Sequence, residues 1–448
     1  MPFRGGWAGD GRNGAGGDTG ILEGDPIKEK ANNPLRLIRD AVLGVKGNAR
    51  ALIIAEPLFA IPYTMISAFL TLYMLELGAT KAQVGIITSF GLAIHLVLAV
   101  VSAYVTDRFG RRYTTLVFDS LGWCGSLFIY AISQNVYYFF AAAVANALTR
   151  IVMNSFHCLM LEDSPPENRI HIFSFMNVAT ILAGFCTPLG AMLIKKMSLV
   201  PAMRMMCMFT AFWMLALFIV RNMFLTETDT GRQKIAETKG VSLLGVCKSY
   251  LPVFKRMFGN KLFVITLIVR TLSNIQFTIR STFLAVLVTE RLGFPAESMS
   301  VFYTFNSIIM LIALLFITPI LAQFTRRWPI SLGIWCHLSA TVVLLLSPPT
   351  QNIGLLITAA ILIALGVSIS GPRIDSLVAN IISNEDRSVV NAATGVILLL
   401  LTTPSGFIGG VLAEIDIRLP FVLNLALFLI NLLTLHIADR MERVRPLT

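Results

Sequence analysis

Apolar runs of roughly 20 residues recur along the whole 448-residue chain, each matching the length needed to cross a hydrocarbon core about 30 Å thick. Twelve can be drawn, at about 51–76, 84–106, 113–133, 136–160, 171–194, 201–225, 262–289, 298–323, 328–347, 353–382, 388–412 and 419–438. A segment inside lipid must satisfy its own backbone N–H and C=O groups, and an α-helix does so. The expected fold class is therefore an all-α membrane protein with twelve transmembrane helices. Composition agrees: 14% of residues are charged, against roughly 25% in soluble domains, too few to cover a water-facing surface.

The formal net charge of +11 raises the question of nucleic acid, and the distribution of that charge answers it. With the N-terminus placed in the cytoplasm, most of the 36 Lys and Arg fall in the tails and in the loops on that side, Arg221 included. The opposite loops hold only Lys81, Lys195, Lys196, Arg204, Arg291 and Arg418. That asymmetry is the positive-inside pattern, so the basic balance reads as topology with both termini cytoplasmic. The six cysteines lack metal-ligand spacing, and neither a disulfide framework nor a metal site is expected.

Residues 1–32, rich in Gly, Asp, Asn and Arg, read as a disordered cytoplasmic tail without the apolar core of a signal peptide. Residues 33–50 space Leu35, Ile38, Val42 and Val45 at helical intervals between basic residues, which predicts an amphipathic interfacial helix. The polar segment 226–260 reads as a central cytoplasmic loop that divides a six-helix half at 51–225 from another at 261–440, before a tail at 441–448. The halves share a trace of repetition. Glu167-Asn168-Arg169 precedes a span with Thr187-Pro188-Leu189-Gly190, and Glu385-Asp386-Arg387 precedes one with Thr403-Pro404-Ser405-Gly406. These positions correspond, in spans five and eleven, as parallel transporter repeats require.

Between spans two and three runs Ala103-Tyr-Val-Thr-Asp107-Arg108-Phe-Gly110-Arg111-Arg112. This resembles the signature loop of the major facilitator superfamily, with Ala103 where the family has Gly. The preceding segment from Glu76 to Gly85 also resembles that family, and the resemblance covers about residues 50–440. It implies two pseudo-symmetric six-helix halves and a cytoplasmic gate formed by Asp107, Arg108, Gly110, Arg111 and Arg112. Asp107 can pair with Arg111 across a turn that Gly110 permits, and in the family the acidic position also faces the start of span eleven. The matching loop of the second half, Gln323 to Trp328, keeps only a basic pair.

Charges at bilayer depth cost at least roughly 2.5–3.5 kcal/mol and therefore face a cavity or a partner. Here they are Glu56 on span one, Arg150 and His157 on span four, Arg270 and Arg280 on span seven, and Arg373 and Asp375 on span ten. The family resemblance implies that these same four spans line the central cavity. Helical spacing adds Tyr63 to the face of Glu56, and Asn154 to the stripe of Arg150 and His157. Asn274 joins the face of Arg270, and Gln276 that of Arg280. Arg150 has a structural alternative, a pair with Asp119 or Glu56; His95 and His337, on other spans, are read as structural.

The expectation is a secondary transporter moving a small solute by alternating access, a proton symporter or antiporter in family terms, with Glu56, His157 and Asp375 as proton carriers. Four Arg against two carboxylates leave the cavity formally positive, which favours an anionic or polar metabolite. One alternative is multidrug efflux by proton antiport, which the partial match of Gly184 to Ala191 to the drug-antiporter pattern weakens. Another is a non-transporting nutrient sensor of the same fold. No phosphate-cradling loop or nucleophile motif points to an enzyme, and no cofactor is expected beyond a driving proton. The expected partners are the solute and membrane lipid, with no nucleic acid, and the protein is read as a monomer of the cell membrane.

Overall fold

The computed structural model describes residues 45–238, 259, 261–322, 324, 328–381 and 387–444, and its described side chains exclude those at 166–168, 170, 171, 262, 322, 375–392 and 441–444. Every regular element among the described residues is helical. Eleven helices are long and apolar enough to cross a membrane: Gly47–Glu76, Lys81–Phe109, Arg111–Ile132, Val136–Leu161, Ile172–Met197, Leu199–Phe224, Ala296–Leu321, Trp328–Leu346, Ile353–Ile374, Ala393–Ile415 and Leu419–Arg440. One further long helix, Lys261–Val286, packs among them and carries Arg270, Asn274, Gln276 and Arg280 along its length. Counted in chain order with this helix seventh, the described helices are consistent with the expected twelve-helix arrangement.

Local chemistry explains where the helices start and bend. Span two begins at a capping box, in which Thr80 Oγ1 accepts from Gln83 N and Gln83 Oε1 accepts from Thr80 N. Within span one Pro62 has no N–H to offer the carbonyl four residues back, and the freed oxygen of Leu58 accepts from Trp213 Nε1 at 2.9 Å. Spans five and eleven both restart at Thr-Pro, as Thr187–Met197 and Pro404–Ile415, where proline fits the first turn of a helix. The repeat read in the sequence is thus a repeated helix break.

Of the expected interfacial helix at 33–50, only residues 45–50 are described, and there the chain already enters span one at Gly47. Residues 33–44 and the tails at 1–32 and 445–448 lie outside the described residues. The central loop is described over 226–238 and contains a helix, Asp229–Glu237, capped by Thr228 Oγ1 accepting from Gly231 N. Of the six cysteines five are described, all free, and Cys247 lies outside.

The apolar core is unevenly distributed along the bundle axis. We call the side that holds the chain's described ends the termini face, and the other side the far face. Toward the far face one continuous cluster joins both halves, including Phe69, Tyr73 and Met203 from the first and Phe283, Phe302 and Phe421 from the second. Toward the termini face the clusters formed by the described residues are separate. One gathers Leu52, Leu159 and Leu225 of the first half, and another gathers Val269, Ile334 and Leu435 of the second.

Among the described residues, polar contacts between the halves follow the same pattern. Lys81 pairs with Glu290 at 2.5 Å, Ala82 N donates to Glu414 Oε2 at 3.0 Å, and Phe407 N donates to Ser89 Oγ at 2.7 Å. Beside them spans two and eleven cross at glycines. A Cβ on Gly85 would meet the carbonyl oxygen of Gly406 and lie 2.6 Å from Gly410 Cα. Only glycine allows backbones to approach this closely.

Candidate functional site

The signature loop is built around Gly110, whose φ of +86° lies in the region that disfavours side chains. A Cβ there would also sit 2.7 Å from Glu227 Oε2. The turn lets span three start at Arg111, and Glu227 caps that start by accepting from Arg111 N and Arg112 N, both at 2.9 Å. A carboxylate at a helix N-terminus satisfies orphan donors and opposes the helix dipole favourably.

The Arg111 guanidinium is buried between two acids, Asp107 at 2.9 Å and Glu162 at 3.2 Å, and Glu162 also accepts from Thr228 Oγ1. Arg112 reaches the backbone carbonyl of Asn222 at 2.9 Å, and Arg108 that of Thr238 at 3.4 Å. Asn48 completes the network by donating to Asp163 Oδ2 and to Thr226 O while accepting from Thr226 N. Burial raises the Asp163 carboxyl above the ordinary carboxylate range; the Asn48 amide opposes this, and Glu162 and Asp229 add to it. Glu162, Glu227 and Asn48 were not singled out in the sequence, because their roles depend on contacts across more than fifty positions. The start of span eleven that Asp107 is expected to face, and residues 325–327 of the matching loop, lie outside the described side chains.

Deeper in the first half, Asp119 of span three and Arg221 of span six form a buried ion pair. This corrects the reading of Arg221 as a loop cation: it lies within Leu199–Phe224, 7% exposed, with its guanidinium over the Phe156 and Phe218 rings. Desolvated charges need such pairing. It also disposes of Asp119 as the partner of Arg150. Glu56, Asp119, His157 and Arg221 line one cavity of about 140 Å³, walled by Phe59, Trp123, Phe156 and Phe218. Tyr63 stacks on Phe59, with ring centroids 5.9 Å apart, and meets Trp123 edge-on.

The remaining span-four residues point elsewhere. Asn154 donates to Thr106 Oγ1 at 3.1 Å, tying span four to span two. Arg150 extends to the seam between the halves, where a Cβ on Gly395 of span eleven would lie 3.4 Å from its Nη2. Its contact within the span is to Met153 Sδ at 3.6 Å, and among the described residues it forms no ion pair.

In the second half Arg280 Nη1 donates to His337 Nδ1 at 3.1 Å, and the ring of His337 stacks on Phe428. Arg280 therefore reaches toward span nine. Gln276 is buried, and its backbone carbonyl accepts from Asn424. Asn274 donates to the carbonyl of Arg270, one turn earlier. Arg373 donates to Phe324 O at 2.8 Å. Asp375 lies on helix Ile353–Ile381, but its side chain is outside those described. The structure thus gathers Glu56 and His157, with Asp119 and Arg221, inside the first half, sets Arg150 at the seam, and turns Arg280 into the second half.

The model of the Major Facilitator Superfamily matches residues 52–402. The chain belongs to that family. It is a multi-pass membrane transporter of the family fold, not an enzyme. A point mutant of the nucleoside transporter NupG superposes with a TM-score of 0.67 at 14% identity, covering 87% of this chain and 99% of the other. A point mutant of the peptide transporter POT gives 0.66 at 14% identity, covering 88% and 95%. The human organic anion transporter MFSD10 (TETRAN) gives 0.57 at 15% identity, covering 90% and 100%. At such identities the likeness concerns the fold. No curated protein matches the chain in sequence.

Proposed function

We propose that the protein carries a small anionic or polar metabolite across the cell membrane by alternating access, driven by protons, with both termini in the cytoplasm. The observation that carries the anionic preference is Arg150, a cation at the seam between the halves with no ion-pair partner among the described residues. A charge in that position is stabilised by a counter-ion, and a solute anion supplies one. The shared core at the far face and the separate clusters at the termini face support a rocking motion of two halves. In this conformation the far face is closed. Glu56 and His157, facing one cavity with the Asp119–Arg221 pair, are the proposed proton carriers. Asp375 on span ten is a further one. The signature loop network is the proposed cytoplasmic gate.

The test is uptake into proteoliposomes of an organic-anion and neutral-metabolite panel, with and without an imposed proton gradient. Arg150→Gln is expected to lower anion transport at least tenfold while the folded protein is recovered normally. Unchanged anion transport by that variant sinks the assignment of Arg150. Transport indifferent to the proton gradient sinks the coupling.

A further inference from the structure

On its outer surface the first half carries a second cavity, of about 490 Å³, between span one and span six. Its walls include Ile54 and Leu58 from one helix and Leu217 and Val220 from the other, with Arg50 and Arg221 on the same lining. Ile54, Leu58 and Val220 are exposed, so the groove opens outward toward lipid. It runs from Gly47 to Leu58, about 16 Å along a helix, or roughly half of a 30 Å hydrocarbon core. The groove is therefore about one leaflet deep. Its inner end lies where the Leu58 carbonyl is taken by Trp213.

Two features give the groove a chemical preference. No Asp or Glu lines it among the described residues, whereas Arg50 stands near its mouth and Arg221 about a turn deeper. The Arg221 side chain is more than nine-tenths buried and its Nη2 is taken by Asp119, so Arg50 is the exposed cation of that lining. An occupant that fits is apolar over about one leaflet and carries negative charge at the headgroup level, beside Arg50.

We propose that this groove binds one anionic phospholipid of the leaflet at the termini face. An acyl chain lies along Ile54, Leu58, Leu217 and Val220. The phosphate meets the exposed Arg50. Because Arg221 also lines the cavity with Glu56 and His157, the bound lipid fixes the arginine that separates lipid from that cavity.

The test uses the full chain purified in detergent and phosphatidylglycerol as the probe, with phosphatidylcholine as the comparison. Native mass spectrometry is expected to show one phosphatidylglycerol retained in preference to phosphatidylcholine. Arg50→Gln should weaken that binding about fivefold and Arg50→Lys should largely restore it, since a basic residue near the membrane surface is worth about that factor. Val220→Trp, which fills the groove from an exposed position, should abolish it. Because variants can fail to fold, a phosphatidylglycerol with a photoreactive acyl chain is also applied to the unaltered protein. Labelling within residues 47–58 and 217–224 supports the site. Labelling elsewhere, equal retention of the two lipids, undiminished binding by Arg50→Gln in folded protein, or a second copy of the chain seated on this face overturns it.

Discussion

Replacing Gly85 with alanine is expected to push the transporter away from the conformation closed at the far face. A methyl group there would lie 2.6 Å from Gly410 Cα and 2.9 Å from Gly410 N, and would also strike the carbonyl of Gly406. Carbon atoms in contact sit about 3.5–4.0 Å apart, so spans two and eleven must separate by about 1 Å. All the obstructing atoms are backbone and cannot rotate away. Overpacking of this kind costs about 1–3 kcal/mol, which lowers the closed population relative to the open one by about 5- to 150-fold. Spin labels at Glu76→Cys and Thr350→Cys, with the six native cysteines replaced, measure the opening across the far face by electron–electron distance distributions. The expected result is a longer distance in the Gly85→Ala protein. Gly91→Ala is the control, because its added carbon meets only Ala143 Cβ at 3.8 Å. An unchanged distribution in Gly85→Ala would refute the claim that this crossing sets the closed state.

Asp119→Asn should leave Arg221 charged and buried without its carboxylate, destabilising the protein by about 3–5 kcal/mol, with Asp119→Asn plus Arg221→Gln recovering much of the loss; thermal unfolding in detergent reads both. Glu290→Gln removes the Lys81 pair, which is partly exposed, so it should weaken far-face closure by no more than about 1 kcal/mol. The same distance measurement should detect that small shift, and raising salt should mimic it in the unaltered protein.

The spans were legible because a membrane helix announces itself over some twenty consecutive residues, and the signature loop because its acid, glycine and arginines are contiguous. Even the helix breaks at Pro188 and Pro404 could be matched between halves from four-residue patterns. What the sequence hid was rotation and partnership. Arg221 sits within four residues of its helix end, where a loop cation and a buried one read alike, and only the nearness of Asp119, about a hundred positions away, separates them. Glu162 and Glu227 are likewise ordinary surface acids until Arg111 and the start of span three are placed between them. Arg280 has the apolar neighbours of a cavity-lining residue, yet its helix turns it toward His337.

Asn48 binds both the carbonyl and the amide of Thr226, so the first turn of span one and the chain just past span six are fastened together across 178 positions. Thr228 and Glu227 then lock onto Glu162 and the start of span three. Every group in this clasp has been synthesised once residue 228 leaves the ribosome, with the whole second half still to come. The first half can therefore complete its own fastening during translation, and the second half inserts beside a partner whose shape is already set.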